Sequence, residues 1–161
     1  MLNLKTKLHL KIIFLFSFIA LIFAFFIEYV LGHQPCNLCL IERIPYGLSI
    51  IIITAIFLIK KNQKFLVILL ILTFMFSFAI SFYHYGIEKG FFQESSFCGV
   101  KSLTENINKE DLLKQLSEKT ISCRDVTFRI FGLSLTSINI VFSLLFIITL
   151  TNIFYRYEKN R

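Results

Sequence analysis

The sequence of 161 residues has little of what a soluble enzyme needs. Only 17% of its residues are charged, it has two prolines and six glycines, and it has no tryptophan. It shows no internal repeat, no low-complexity tract and no glycine-rich phosphate loop. The one extended polar segment is residues 88–129. No soluble catalytic core fits in such a chain, so its polar segments must act together with the apolar ones.

What the sequence does have is apolar length. Its hydrophobic share is 56%, with 20 phenylalanines and a mean hydropathy of +0.72. An α-helix rises about 1.5 Å per residue and needs about 20 residues to cross about 30 Å of hydrocarbon. Four apolar runs reach that length: 12–31, 40–59, 65–86 and 130–154. We predict an all-α membrane protein, a single domain over residues 1–161, built as a four-transmembrane-helix bundle with outer loops at 32–39 and 87–129.

The distribution of lysine and arginine predicts the orientation of this bundle. Nine of these cations lie before the first run, between the second and third, or after the fourth, and only one acid accompanies them. The other eight face nine acids, so the net charge of +7 divides into +8 and −1. We predict that both termini are cytoplasmic and that all four cysteines lie outside, which in a bacterium is the periplasm, where disulfides persist. The positive net charge of the chain then reflects its membrane topology and is no argument for nucleic-acid binding.

The long outer loop between helices 3 and 4 carries a weaker pattern. Leucine and isoleucine recur at roughly helical spacing between residues 103 and 121, and Ser102-x-x-Glu105 resembles a capping box. This pattern favours one or two short amphipathic helices on the membrane surface. A mobile polar loop with incidental leucines is the alternative.

The most informative motif is Cys36-x-x-Cys39, in the short loop between the first two runs. A disulfide within it closes a very small ring, so it gains little stability from chain entropy and exchanges readily. Cys39 falls at the predicted start of helix 2, where the helix dipole favours a thiolate. Arg43 adds a positive charge four residues further on, on the same helical face. These features favour a redox-active pair over a structural disulfide.

The role of Cys98 and Cys123, in the long loop, stays open. Four cysteines permit three pairings. A bond between these two closes a loop of ordinary size, and both a structural staple and a redox-active disulfide are compatible with that. Zinc is a further option for four outward cysteines, but the loop cysteines lack a second Cys-x-x-Cys or a close histidine, and thiols in an oxidising compartment pair with each other. We therefore expect no metal site.

Four ionisable residues map to the outer ends of helices 2 and 3: Glu42, Arg43, His84 and Glu88. Charges at this depth cost free energy and need a reason. The first two could simply snorkel, and His84 with Glu88 could form a pair at the end of one helix. Together the four also make a polar cluster beside Cys39 at the hydrocarbon boundary. A quinone would fit there, with Arg43 as hydrogen-bond donor to one of its carbonyls.

The order of these residues resembles the DsbB family of bacterial disulfide bond formation proteins. Residues 36–43 read Cys-Asn-Leu-Cys-Leu-Ile-Glu-Arg, which looks like the family's Cys-x-x-Cys-x-x-(Gln/Glu)-Arg signature. Residues 83–88 are similar to the end of its third helix. Cys98, and Cys123 followed by residues 131–133, resemble its second cysteine pair and the start of its fourth helix. The match covers nearly the whole chain.

The resemblance implies roles for the cysteines. Members of the family lie in the bacterial inner membrane and reoxidise DsbA. DsbA is a periplasmic thioredoxin-fold protein of the disulfide-forming chaperone system. By analogy, reduced DsbA attacks the Cys98–Cys123 disulfide at Cys98. The electrons then pass to Cys36–Cys39 by thiol–disulfide exchange. The net reaction oxidises a dithiol and reduces a membrane quinone, either ubiquinone or menaquinone.

The resemblance also implies a quinone site beside Cys39. Arg43 would bind the quinone, with Glu42 and His84 in the same cluster. The chain departs from the family in having no tryptophan, and Phe128 stands where the family often has one. Aromatic contacts to the quinone must therefore come from phenylalanine or tyrosine.

Three alternatives stay open at this point. A paralogue could serve a dedicated DsbA-like partner. A vitamin K epoxide reductase-like enzyme also combines four helices, cysteines and quinones, but in that family the Cys-x-x-Cys sits late in the bundle, whereas here it follows the first helix. A non-enzymatic membrane protein with structural disulfides is an alternative of a different class, and it would reduce no quinone.

Overall fold

A computed structural model describes residues 4–59, 62–94, 98, 122–124, 129–130 and 132–159. These described residues form four long α-helices: α1 (Leu4–Tyr29), α2 (Asn37–Leu58), α3 (Gln63–Glu88) and α4 (Leu135–Lys159). Two short strands, β1 (Arg129–Ile130) and β2 (Leu133–Ser134), pair antiparallel just before α4. All four helices are long and apolar enough to cross a membrane. The predicted all-α bundle of four membrane-spanning helices is therefore confirmed.

The helix ends differ from the predicted runs in ways that affect the site. α1 begins at Leu4 rather than at residue 12, and α2 begins at Asn37 rather than at residue 40. Because α2 starts earlier, Glu42 and Arg43 lie in its second turn, whereas a start at residue 40 would put them in its first turn. Glu42 is buried, with 9% of its surface exposed.

The start of α4 also differs, since it lies at Leu135 and not at residue 130. The cause is local. Gly132 has a φ of 81°, a left-handed conformation that glycine adopts without steric strain. The turn at Gly132 pairs Arg129 with Ser134, and this small hairpin precedes the helix.

Some sequence predictions concern residues outside the described ranges. The amphipathic helices predicted between residues 102 and 121 fall there, and so does Phe128. The connection between α3 and α4 is described at residues 89–94, 98, 122–124 and 129–134 except 131. These positions include both of its cysteines.

An apolar core fills the half of the bundle where α1 begins and α4 ends. Phe74 of α3 is completely buried there. The rings of Tyr46 and Phe146 meet it edge-on, with centroids 6.4 and 5.0 Å away. The other half, where α2 begins and α3 ends, is where the buried polar side chains gather.

The helices pack unevenly, and this opens a cleft. α3 packs between α2 and α4, whereas α1 packs along α2 and meets α4 only slightly. Hydrogen bonds between small buried residues join neighbouring helices, from Ser49 to Ser17 at 2.9 Å and from Ser143 to Ser77 at 3.1 Å. The cleft between α1 and α4 reaches inward to the start of α2.

Candidate active site

The Cys36-x-x-Cys39 pair forms the start of α2. Cys36 caps the helix with an extended backbone, and its sulfur accepts a hydrogen bond from the backbone N–H of Cys39 at 3.3 Å. The two sulfurs lie 2.7 Å apart, with Cys36 buried and Cys39 half-buried. The sulfur at the helix N-terminus is thus that of Cys36, whereas the sequence prediction gave this position to Cys39.

The surroundings of Cys36 favour its thiolate. Hydrogen bonds from the Cys39 thiol and from His84 hold the pKa of the Cys36 thiol well below its ordinary value, although burial acts in the opposite direction. A thiol with a lowered pKa is ionised at neutral pH and is a good leaving group. Cys36 therefore has the electrostatic surroundings of a sulfur that takes part in thiol–disulfide exchange.

The second pair, Cys98 and Cys123, is joined by a disulfide with its Cα atoms 5.5 Å apart. Both residues are buried, with 1% and 2% of their surface exposed. They pack in one apolar cluster with Cys36, and Cys39 lies against the same cluster. The loop disulfide therefore lies against the first cysteine pair and is not isolated from it in the fold.

His84 lies between a sulfur and a carboxylate. Its Nε2 is 3.6 Å from the Cys36 sulfur, and its Nδ1 is 3.0 Å from Oε1 of Glu42. All three side chains are buried. The pair that the sequence suggested between His84 and Glu88 does not form, because Glu88 instead accepts a hydrogen bond from the Thr136 hydroxyl at 2.7 Å. The structure thus joins His84 and Glu42 to the first cysteine pair.

Asn139 of α4 completes this network and was not among the residues predicted from the sequence. Its Nδ2 donates to Oε2 of Glu42 at 3.3 Å and to Oγ of Ser81 at 2.6 Å. Its Oδ1 accepts hydrogen bonds from the hydroxyls of Tyr46 and Ser143. An amide in the middle of an apolar run is the only signal that could have pointed to it. Each polar group of the Asn139 side chain has a hydrogen-bond partner on another helix or on the next turn of α4.

Arg43 points towards α1. Its guanidinium forms an ion pair with Glu28 and donates a hydrogen bond to the backbone carbonyl of Ala24 at 3.4 Å. It also lies over the Phe25 ring, 5.1 Å from the centroid. The pairing of Arg43 with Glu28 was not predicted from the sequence. Arg43 is therefore held in place by α1, with the side chain 17% exposed.

A cavity of about 350 Å³ lies in the cleft between α1 and α4. Its walls are mostly apolar, with Phe16 and Ile19 from α1 and Phe142 from α4. The end of the cavity that lies at the start of α2 is called its inner end. Polar and sulfur-bearing residues line it: Cys36, Cys39, Glu42, Arg43, Tyr46, His84, Glu88, Cys123, Thr136 and Asn139. Cavities of about 300–1,000 Å³ that are largely apolar with a few convergent polar groups are typical ligand sites. All of the predicted site residues except Cys98 border this one cavity.

The fold and site define a membrane protein with two cysteine pairs packed beside a cleft. Residues 6–153 match the family described as disulfide bond formation protein DsbB, and the chain belongs to this family. The chain is also similar to the uncharacterized protein RP370 of Rickettsia prowazekii (strain Madrid E), at 31% identity over 147 residues, 90% of this chain and 86% of that protein. No solved structure matches the chain. The resemblance drawn from the motifs is thus confirmed, and family membership assigns the chain to disulfide bond formation at a membrane.

Proposed function

We propose that this protein is a dithiol:quinone oxidoreductase of the bacterial inner membrane that reoxidises a DsbA-type periplasmic partner. Membership of the DsbB family supports the coarse activity. The observation that carries the finer proposal is that Cys39, Cys123 and Arg43 all border one cavity. Cys123 belongs to the pair that would receive electrons from the partner, and Cys39 belongs to the pair that would pass them to the quinone. The cavity thus brings one sulfur of each pair close to a cation.

The proposed electron path uses two thiol–disulfide exchanges. A reduced partner dithiol attacks the Cys98–Cys123 disulfide, at Cys98 by family analogy, and leaves as a disulfide, so that both loop cysteines become thiols. These thiols then reduce the Cys36–Cys39 disulfide in the same way and return to their oxidised form. Each exchange passes through a mixed disulfide and moves two electrons and two protons. The packing of Cys98, Cys123 and Cys36 in one cluster supports the second exchange.

The cavity fits the head of a quinone. It opens between α1 and α4, its walls are apolar, and Arg43 at its inner end offers planar donors for a carbonyl oxygen. A quinone, when bound, accepts two electrons and two protons. Phe16 and Phe142 supply aromatic surface in a chain that has no tryptophan. The sequence and the cavity are compatible with ubiquinone and with menaquinone alike.

The buried network supports a proton role for His84. Its Nε2 faces the Cys36 sulfur, so it is placed to hold the proton that this thiol gives up when it ionises. Glu42 holds the opposite ring nitrogen and stabilises the imidazolium that results. Asn139 in turn fixes the Glu42 carboxylate.

The direct test is quinone reduction by the purified protein with a reduced DsbA-type protein as donor. We expect quinol to form in step with disulfide in the donor. In Cys39→Ser no quinol should form, and donor oxidation should stop once the loop disulfide has been reduced. If the protein leaves quinone unreduced while it exchanges disulfides with the donor, the acceptor is not a quinone. If it does neither, the oxidoreductase proposal fails and the cysteines are structural.

A further inference from the structure

We propose that, in the reduced protein, Cys36, Cys39 and His84 form a binding site for a thiophilic divalent cation, with Zn²⁺ as the ligand that fits best. The three ligand atoms lie within 4.8 Å of one another, one from each side chain. Two thiolates and one imidazole are the ligands that zinc prefers. The sequence predicted no metal site, and this proposal departs from that prediction. His84 lies 48 positions beyond Cys36, and only the fold brings them together.

The distances are close to those of a zinc site. With Zn–S bonds of about 2.3 Å and Zn–N bonds of about 2.0–2.1 Å, tetrahedral ligand atoms lie roughly 3.5–3.8 Å apart. The Cys36 sulfur and Nε2 of His84 already have this spacing, at 3.6 Å. The two sulfurs, at 2.7 Å, must separate by about 1 Å. Cys39 has room for this movement because it is half-buried and borders the cavity.

The surroundings of His84 are those of a metal-binding histidine. Its Nε2 faces the two cysteines while its Nδ1 is held by the Glu42 carboxylate. Such a carboxylate fixes the ring orientation and strengthens the imidazole as a ligand. Glu42 is itself held by Asn139. The histidine and its support are therefore in place before any metal arrives.

The cavity supplies the fourth position and a route of access. Three protein ligands leave one tetrahedral position open, and a water can fill it from the cavity that all three residues border. The nearby cation Arg43 is already paired with Glu28, which reduces its repulsion of an incoming metal ion. Zinc and two thiolates together add no net charge to this buried place.

Zinc binding requires the reduced form of the Cys36–Cys39 pair, so bound zinc should affect the oxidation of this pair. Zn²⁺ forms a bond to each sulfur and to Nε2 of His84, the protons that these three groups still carry are released to water, and no electron is transferred. While both sulfurs hold the metal they cannot form a disulfide with each other. Zinc is then a reversible inhibitor of the oxidation of this pair. The inhibitory part rests on the proposed function, whereas metal binding itself does not.

The experiment uses the full-length protein in detergent, free of quinone and without oxygen. Zn²⁺ is titrated in competition with a chromophoric chelator, on reduced and on oxidised samples. We expect one tight site per chain in the reduced protein and none of comparable affinity in the oxidised protein. The double variant Cys98→Ser/Cys123→Ser should keep the site, which separates it from metal bound by the loop thiols.

Two substitutions identify the histidine and its support. Glu42→Gln should weaken zinc binding by about 10- to 100-fold, as loss of a carboxylate behind a ligating histidine does. His84→Gln should weaken it at least as much. The matched control is His33→Gln, which removes a histidine that borders the same cavity but lies outside the ligand set. This variant should bind zinc like the unsubstituted protein.

Cobalt provides a second readout in the unsubstituted protein. Bound Co²⁺ should show thiolate-to-metal charge-transfer bands and the visible bands of a tetrahedral site, which decides the ligand type even if His84→Gln fails to fold. The proposal is overturned if a folded His84→Gln binds zinc normally, if the cobalt spectrum lacks tetrahedral thiolate features, or if Cys98→Ser/Cys123→Ser abolishes binding. Turnover measured without zinc is a separate assay, so failure of the quinone proposal and failure of this one are distinguishable.

Discussion

Removal of Arg43 should weaken the interaction with quinone and leave the interaction with the protein partner almost unchanged. The guanidinium is anchored by Glu28 and the Ala24 carbonyl, and it borders the cavity at its inner end. One charged hydrogen bond contributes about 1.5–3 kcal/mol. Because about 1.4 kcal/mol corresponds to a factor of ten, Arg43→Ala should raise the KM for quinone roughly 10- to 100-fold. Arg43→Lys should be intermediate, since an ammonium lacks the planar donors.

The ion pair with Glu28 adds a second test of the same reasoning. Glu28→Gln leaves Arg43 without its anionic partner, so the KM for quinone should change by less than in Arg43→Ala. On the Arg43→Ala background, Glu28→Gln should have no further effect, because residues that act as a unit are not additive. The assay is steady-state quinone reduction with quinone varied at saturating reduced donor. An Arg43→Ala protein with unchanged quinone kinetics would refute the argument, and the quinone site would have to be sought elsewhere.

Three further predictions follow from the same structure. Impermeant thiol reagents should label the reduced cysteines of intact spheroplasts, and labelling that requires a permeabilised inner membrane would reverse the orientation. Cys98→Ser should block electron transfer from the partner while quinone still reacts with the first pair, whereas Cys39→Ser should leave the loop pair reducible and block the onward step. If both variants turn over normally, the disulfides are structural. Asn139→Leu leaves buried partners of the amide unsatisfied, so it should lower the free energy of unfolding in detergent by about 1–3 kcal/mol, and unchanged stability would show that water satisfies these groups.

The sequence predicts the bundle well because membrane spans depend on length and composition alone. Four runs of sufficient apolar length correspond to four helices. Their ends are less predictable, because they depend on local geometry. The turn at Gly132 delays α4, and the cap at Cys36 advances α2. The advance of α2 transfers the helix N-terminal position from Cys39 to Cys36.

The partners inside the site could not be predicted, because they lie on different helices. Along one helix, spacing pairs His84 with Glu88 and Cys39 with Arg43. In the folded chain His84 bonds Glu42 of α2, and Glu88 bonds a residue of α4. Spacing of four residues is informative on an exposed helix face, but buried polar groups must be satisfied by whichever helix lies opposite. Which helix lies opposite is a property of the packing.

The polar network also separates the two sides of the site. Hydrogen bonds join Glu42 of α2, His84 and Ser81 of α3, and Asn139 of α4. A buried member of such a network that loses its partner costs free energy, so these bonds fix the relative rotation of the three helices. α1 is outside this network and is joined to α2 through Glu28 and through Ser17. Changes in α1 should therefore alter the acceptor side alone. Changes at Asn139 should disturb the sulfur geometry and thus both the donor and the acceptor reactions.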